Sequence, residues 1–495
     1  MPTIMRKLII IAGLLLFMPG WIAGQIKVSL LVDDNYGLVM DRAIQKIAES
    51  NPSLKDTCEM KTVTYSRYAD SDLSFVEQSG LIFVYTHNPK VFEQAKPRLI
   101  KAIQAGGKVY VMNASPADEE YRKMGVRLDR NILQYFKQQG TENIMNMILY
   151  GLRKDFAIPC PYRQVRIYPQ SGIYDHVHDT IYTNVSAFEE NYPAYKEGNP
   201  WVGMVVGKHD LLMEQNEYIK THIRYIENEG FNVLPVYGYP ASGTIKKFFL
   251  DQSGNPRVIS IIAISLWHGI RPEDLRETFQ ETGVPVINCI QITETREKWE
   301  RSLTGISVFN RANFLALPEL TGQIQPTVTA CREPASGNKD DFLQKTAINS
   351  QVRKMVNRMK AWYNLQVKPN REKQVALIYY SYPPGKENIG ASYLNVLPQS
   401  LFQILQRMKA DGYNLGDQGI NADTLYRQVM AHGRNVGNWA TAEVAKQVNT
   451  GGPVLVPVSL YKAWYKDLSP AFRAEVEQKW GLPDTCSVMT WKNRK

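Results

Sequence analysis

The polar loop at residues 382–390 carries the side chains best suited to holding a carboxylated ligand. Lys386 offers a cation and Asn388 offers an amide, and both groups donate hydrogen bonds to carboxylates. Glycine in the loop permits close approach of a ligand to the backbone. The loop contains no GxxxxGK[ST] sequence, so ATP binding is not predicted. The alternative is a loop kept for packing between domains. The predicted substrate-binding residues of this loop are Tyr382, Lys386, Asn388 and Gly390.

Two histidines follow predicted buried strands. His209 lies just beyond the strand at 202–206, and His268 lies just beyond the strand at 258–264. Because open α/β sheets present ligand groups at the carboxyl ends of their strands, both histidines are further candidates for substrate binding. A strand-end cap or turn is the alternative at each position.

His176 and His178 form an H-x-H pair beside two aspartates and are weak candidates for metal ligation. Imidazole and carboxylate suit divalent cations, and in an extended segment both rings would point the same way. The alternative is a solvated turn, and no metal site is predicted. Since no Ser-His-Asp or Cys-His grouping is present, no catalytic residue is assigned.

Alternating strands and helices must position these side chains. Such alternation predicts parallel sheets, so the expected fold is α/β, with two or three successive flavodoxin- or Rossmann-like units and helical linkers. A polar stretch at 327–341 reads as a linker, and a helix is predicted at 342–364. The third unit is predicted to begin with a buried strand at 375–380, followed by the polar loop and a helix from Pro398 to Gly412.

The remaining predicted elements fall in two groups. In the first group, strands at 26–32, 80–85 and 108–112 alternate with helices at 36–48 and 91–104. In the second group, the strands are at 202–206, 232–236, 258–264 and 284–287, and the helices at 214–229 and 272–282. The predicted domains are a signal peptide or N-terminal anchor at 1–24, a flavodoxin-like α/β domain at 25–158, a second α/β domain at 159–335, and a helical linker with the start of a truncated third α/β domain at 336–495.

The N-terminus has the parts of a secretory signal. Arg6 and Lys7 precede the apolar residues 8–18, and a Pro-Gly pair and small residues follow. The apolar core is shorter than the roughly 20 residues that span a bilayer. We therefore expect an exported chain that is periplasmic or anchored to the inner membrane through its N-terminus.

Composition excludes several classes of protein. Hydrophobic residues make up 44% and charged residues 21% of the chain, which are globular values and exclude disorder. The net charge of +10 is spread along the chain without a cationic cluster interleaved with aromatics, so no nucleic-acid partner is predicted. The five cysteines form no CxxC pair, which argues against a zinc knuckle or redox pair and favours buried free thiols.

Several stretches resemble one family of proteins. In residues 374–413 a predicted strand runs into SYPPGKENIG and then into the helix PQSLFQILQRMKADGY, which resembles the CobN and magnesium-chelatase H family. The resemblance covers roughly residues 160–491. Other stretches follow the order of the family: WVGMVVGKHDLL and HIRYIENEGFNVLPVYGY within 201–239, TETREKWERSLTGIS at 293–307, LALPELTGQI at 315–324, and VPVSLYKAWYKDLSPAFRAEVEQKWGLP at 456–483.

The resemblance implies insertion or removal of a metal in a tetrapyrrole, meaning haem, a porphyrin or a corrin-type ring. No cofactor-binding motif is recognised, so the tetrapyrrole is expected as a substrate and no separate cofactor is predicted. The partners that the resemblance implies are the tetrapyrrole, membrane or uptake-system proteins, and AAA+ chelatase subunits only if the chain is cytoplasmic. The downstream H-x-G-K-H-G motif of the family does not occur in these 495 residues, so the chain is expected to be an N-terminal portion or a shortened member.

Three functions remain open at this point. The first is a CobN-like chelatase or dechelatase large subunit, present as its N-terminal part. The second is an exported, non-catalytic tetrapyrrole-binding module that acts in the uptake of haem or cobalamin precursors. The third is an exported α/β solute-binding protein.

Overall fold

The structure is a computed structural model that divides the chain into two compact units, Met1–Tyr363 and Asn364–Lys495. Both β-sheets lie in the first unit. The structure describes residues 25–65, 70–113, 118–264, 266, 271–335, 342–379, 397–416, 419, 421–432, 441–450 and 454–482.

A four-stranded parallel sheet forms the N-terminal part of the first unit. Its strands are β1 (Ile26–Val32), β2 (Cys58–Thr64), β3 (Leu81–Tyr85) and β4 (Lys108–Val111), in the order β2-β1-β3-β4. Successive side chains of β1 and β3 enter two different apolar clusters, one on each face, because helices cover both faces of a parallel sheet. The helices of this part are α1 (Gly37–Ser50), α2 (Leu54–Thr57), α3 (Asp70–Glu77), α4 (Pro89–Gln104), α5 (Glu119–Met124), α6 (Arg130–Gln138) and α7 (Thr141–Phe156).

An eight-stranded sheet forms the rest of the first unit. Its strands are β5 (Ser171–Asp175), β6 (Thr180–Tyr182), β7 (Trp201–Val205), β8 (Asn232–Gly238), β9 (Val258–Ala263), β10 (Val286–Gln291), β11 (Ile324–Pro334) and β12 (Leu343–Ala347). The order is β12-β11-β10-β9-β7-β8-β5-β6. The five strands β11, β10, β9, β7 and β8 are parallel, and the outer pairings β11–β12, β8–β5 and β5–β6 are antiparallel.

Helices connect the strands of the second sheet, and a longer one follows the last strand. A π-helix at Ala312–Ala316 lies between the short α-helices at 308–311 and 317–320. The α-helices are α8 (Val185–Asn191), α9 (Lys208–Leu212), α10 (Glu217–Glu227), α11 (Ala241–Phe249), α12 (Pro272–Thr282), α13 (Arg296–Glu300), α14 (Val308–Arg311), α15 (Leu317–Leu320) and α16 (Asn349–Val367).

The four-stranded parallel sheet and the five parallel strands at the centre of the second sheet confirm the predicted α/β class. Strand β1 and helix α12 have the predicted bounds, and most other predicted strands and helices of the first unit agree within a few residues. The four described cysteines are buried free thiols, as expected. The proposed domain boundaries stay predictions.

The predicted linker at 327–341 is wrong over its first part, because residues 324–334 form strand β11. Thr329 and Ala330 are fully buried there, and β10 and β12 supply hydrogen-bonding partners on both sides. Small and β-branched residues suit such a strand, although their polarity suggested a linker. The predicted helix at 342–364 consequently begins only at Asn349, after β12.

The second unit is helical in the part that the structure describes. Its helices are α17 (Leu397–Ala410), α18 (Ala422–His432), α19 (Thr441–Asn449), α20 (Val458–Lys466) and α21 (Pro470–Trp480). Helix α17 confirms the helix predicted after Pro398. The predicted buried strand at 375–380 is wrong for 375–379, where no strand pairs with the segment and Ile378 is 95% exposed. Across all described residues, no helix is long and apolar enough to cross a membrane.

Candidate functional site

A cavity of about 450 Å³ opens at the carboxyl ends of the central strands of the second sheet. The chain passes from β7 to β8 on one side of β7 and then crosses to β9 on the other side. This change of direction leaves a crevice between the ends of β7 and β9. Such switch points are where open α/β sheets bind ligands, and the volume is ordinary for a small-molecule site. Residues from β7, β8, β9, β10, β11 and β12, or from just beyond them, line the cavity.

The charged lining of the cavity is entirely basic among the residues that the structure describes. The cations Lys208, Arg332 and Lys345 line it, His209 lies beside them, and no described Asp or Glu belongs to the lining. Arg332 and Lys345 lie directly opposite each other on β11 and β12. Like charges in that position destabilise a strand pair, so this arrangement requires a compensating negative charge.

Asp210 compensates only one of these two cations. Lys345 Nζ donates to Asp210 Oδ1 at 2.7 Å, and Tyr218 Oη donates to Asp210 Oδ2 at 2.6 Å. The Asp210 side chain is 3% exposed and that of Lys345 is 21% exposed. The backbone N–H of Lys345 also donates to Gln215 Oε1 at 2.8 Å. Lys345 is therefore a neutralised, structural member of the lining.

Arg332 has no such partner. Within the described residues its guanidinium makes no hydrogen bond or ion pair, and only its backbone N–H donates, to the Glu294 carbonyl at 3.1 Å. Burial lowers the pKa of Arg332, and the more distant carboxylates of Asp34 and Asp210 offset only part of that effect. A half-buried guanidinium without a carboxylate partner is costly unless an anion binds it.

Lys208 is held by neutral groups. Its Nζ donates to the carbonyl oxygens of Pro169 at 3.1 Å and Tyr168 at 3.4 Å, and lies 5.9 Å from the centroid of the Tyr237 ring. Burial lowers the pKa of the Lys208 ammonium group. Lys208 and Arg332 thus each present a cation to the cavity for which the described residues provide no carboxylate partner.

His209 stands where the two sheets of the first unit meet. Its ring packs edge-on against Tyr36 at 5.3 Å between centroids, and Gln139 Nε2 lies 3.2 Å from His209 Nδ1. Burial lowers the pKa of His209 below its ordinary value, so the ring is neutral at pH 7.

The rest of the lining is amides and apolar groups. Asn288 Nδ2 donates to the Phe314 carbonyl at 2.8 Å, which ties β10 to the π-helix, and Gln291 Nε2 donates to the Ile264 carbonyl. Phe314 and the half-exposed Tyr239 add aromatic surface to the lining. The cavity thus combines two cations that lack a carboxylate partner with flat apolar surface.

Of the residues predicted from the sequence, the structure places His209 in the cavity. Tyr382, Lys386, Asn388, Gly390 and His268 lie outside the described residues. Arg332 and Lys345 were missed, because both belong to the stretch that was interpreted as a linker and the helix after it. Had residues 327–334 been recognised as a strand, Arg332 would have been placed near the carboxyl end of that strand.

His176 and His178 lie in the turn between β5 and β6. His178 Nδ1 is 2.7 Å from Asp175 Oδ2, whereas the buried His176 has Nε2 3.6 Å from Glu227 Oε2. The two rings therefore have different partners and environments. No group of three or more His, Cys, Asp or Glu residues that could hold a metal ion occurs among the described residues.

Comparison with known proteins gives a consistent result. The chain is 26% identical over 336 residues to the magnesium-chelatase subunit ChlH, chloroplastic, of Oryza sativa subsp. indica, covering 64% of this chain and 23% of that protein. It is 22% identical over 296 residues to the aerobic cobaltochelatase subunit CobN of Sinorhizobium sp, covering 58% of this chain and 22% of that protein. The chain spans about a quarter of the length of these relatives.

A solved structure and a family description agree with these relatives. The catalytic subunit of cobaltochelatase from Mycobacterium tuberculosis superposes with a TM-score of 0.62 at 16% identity, covering 93% of this chain and 36% of that one, which shows a shared fold. The family described as CobN/Magnesium Chelatase matches residues 133–495, well over half of the sequence. The chain therefore belongs to the CobN/magnesium chelatase family.

Proposed function

We propose that this chain is the N-terminal part of a CobN-like large subunit that binds a porphyrin or corrin-type ring for insertion or removal of a metal. The metal is a substrate of this reaction and needs no resident site in the chain. Family membership supports the class of reaction. The observation that carries the proposal is the cavity at the switch point, with Lys208 and Arg332 facing it and no described carboxylate in its lining.

Biological tetrapyrroles match this lining in two ways. They carry carboxylate side chains at the ring edge, and charge-assisted hydrogen bonds from lysine and arginine are the strong interactions available to carboxylates. Their flat apolar plane suits Phe314 and Tyr239 beside the cations. In the proposed pose the carboxylates face Arg332 and Lys208, and the ring plane lies against the aromatic surface.

We expect the purified chain to bind a dicarboxylate porphyrin and shift its Soret absorption. Transfer of the ring from water into a half-enclosed apolar cavity changes its surroundings and so its spectrum. Titration of micromolar free-base porphyrin or haem with the chain measures this shift. If the spectrum stays that of the free ligand throughout, the proposed function fails for this chain.

The loop at 382–390 stays a proposed tetrapyrrole-binding segment in its own right. Lys386→Ala is expected to weaken porphyrin binding by about 1.5–3 kcal/mol, the usual contribution of a charge-assisted hydrogen bond. Tyr382→Ala tests stacking in the same titration, and Lys354→Ala on the exposed face of α16 is the matched control. The free energy of unfolding should change by less than about 0.5 kcal/mol in the Lys386 variant. Unchanged affinity in both loop variants would assign the loop to packing.

A further inference from the structure

Five side chains connect the exposed end of the first sheet to His209. Asp33 follows β1, and its Oδ2 lies 2.8 Å from His87 Nδ1. His87 Nε2 lies 2.8 Å from the Tyr85 hydroxyl at the end of β3. Tyr36 packs against Tyr85 with ring centroids 4.8 Å apart, and side-chain hydrogen bonding raises the pKa of the Tyr36 hydroxyl through Tyr85 and lowers it through Gln139. Gln139 Nε2 then reaches His209 Nδ1 at 3.2 Å.

The donor and acceptor inventory of these groups fixes the direction of the chain of bonds. A carboxylate only accepts, so His87 Nδ1 donates to Asp33, and the Nε2 of a neutral His87 accepts from Tyr85. Tyr85 has then used its one hydrogen, so its oxygen accepts from Tyr36. Since Tyr36 has also used its hydrogen, Gln139 must donate to Tyr36 through its NH₂ group. The second hydrogen of that group points to His209 Nδ1.

We infer that Gln139, held in this chain of hydrogen bonds, fixes His209 in the tautomer that carries its hydrogen on Nε2. His209 Nδ1 accepts from Gln139 and is occupied. Nε2 therefore remains as a hydrogen-bond donor and not as a lone pair. His209 is thus suited to donate to an oxygen of a bound anion, and neither of its nitrogens is available as a metal ligand in this state. Gln139 acts as a positioning residue.

The backbone of Gln139 supports this role independently. Gln139 has φ 57° and ψ −167°, a region that is essentially restricted to glycine. Such conformations cost of order 1–3 kcal/mol and persist where the surroundings impose them, which is commonly at functional sites. The Gln139 carbonyl accepts from Asn143 Nδ2 at 2.9 Å, and its N–H donates to the Phe136 carbonyl at 3.1 Å. These bonds hold the strained residue with its amide against His209.

Other charged groups act on the His209 ring without fixing its tautomer. Asp210 favours the protonated ring, whereas Lys345, Arg332 and His87 oppose it. Among the described residues none of these four forms a hydrogen bond with the His209 ring, whereas Gln139 does so at Nδ1. The measurement is best made at about pH 8, where an ordinary imidazole is neutral.

Nitrogen NMR of the full chain labelled with ¹⁵N-histidine tests the inference without any tetrapyrrole. A His209→Gln variant assigns the signals. In the unmodified chain, His209 is expected to show a protonated Nε2 and an unprotonated Nδ1. A His209 that carries its hydrogen mainly on Nδ1 would overturn the inference. Since no ligand is present, this result is independent of the proposed function.

The isosteric Gln139→Glu variant should invert the tautomer. A carboxylate at this position can only accept, so Tyr36 must turn its one hydrogen from Tyr85 to residue 139, and His209 is expected to move its hydrogen to Nδ1 and present a lone pair on Nε2. Gln134→Glu, at an exposed site on α6, the helix that precedes Gln139, has the same charge change and should leave the tautomer unaltered. If Gln139→Glu does not fold, Tyr36→Phe removes the oxygen that obliges Gln139 to donate, and an Nδ1–H population is expected to appear. A folded Gln139→Glu chain with an unchanged tautomer would contradict the role of Gln139.

Discussion

Asp210→Asn is expected to lower the free energy of unfolding of the first unit by about 3–5 kcal/mol, the usual cost of removing one partner of a buried ion pair. The change keeps the volume of the side chain and an acceptor for Tyr218, but leaves the Lys345 ammonium beside Arg332 without a counter-charge. Urea denaturation followed by circular dichroism and by tryptophan fluorescence measures the loss.

Two further variants separate charge from packing in this experiment. Asp274→Asn removes a partner of the exposed pair Arg271–Asp274 and should change the free energy of unfolding by no more than about 1 kcal/mol. The double variant Asp210→Asn, Lys345→Met should recover much of the lost stability, because no unpaired charge remains. A loss below about 1 kcal/mol in Asp210→Asn alone would show that the pair is solvated, contrary to its burial.

Arg332→Met should weaken binding of a dicarboxylate porphyrin by about 1.5–3 kcal/mol, which is roughly a 10- to 100-fold rise in Kd. The guanidinium is the cation in the described lining for which no protein partner is found, so its loss removes an interaction that the ligand alone would satisfy. Because the free protein carries the cost of this unpaired charge, the same variant should unfold at equal or higher urea concentration. Soret titration and urea denaturation measure the two effects.

The control variant for this prediction is Arg276→Met, which removes an exposed cation on α12 and should leave Kd unchanged. A porphyrin without carboxylates provides a control on the side of the ligand, since Arg332→Met should not weaken its binding. Equal affinity of both variants for the dicarboxylate ring would remove Arg332 from the proposed site.

Much of the sheet architecture could be predicted because its strands are continuous apolar runs. The runs VISIIA at 258–263 and LIFVY at 81–85 are too apolar to be exposed segments, so buried strands were predicted there. Their bounds followed from the composition of the runs. The prediction for 327–334 was wrong because this strand is buried by the strands paired with it on both sides and not by its own hydrophobicity. The prediction for 375–379 was wrong for the opposite reason: the run is apolar, but an apolar run forms a strand only where another strand pairs with it.

The same distinction applies to the site. His209 could be anticipated, since a residue just beyond a buried strand lies at the edge of the sheet whatever the tertiary arrangement. Arg332 could not, because its position depends on β11 joining the parallel sheet beside β10. Gln139 could not be anticipated either, since it lies 70 residues before His209 in the sequence and in the part of the first unit that is built on the other sheet.

The positive charge of the cavity lining opposes the entry of a free metal cation. A lining that attracts carboxylates repels a free divalent cation, and two unit charges at 6 Å interact by about 3 kcal/mol at an effective dielectric constant near 20. A bare ion approaching Lys208 and Arg332 therefore meets an electrostatic barrier. If the chain binds a tetrapyrrole as proposed, metal should enter or leave this cavity inside the macrocycle, with its charge already neutralised by the ring nitrogens, and the aqueous ion should not exchange directly into the cavity.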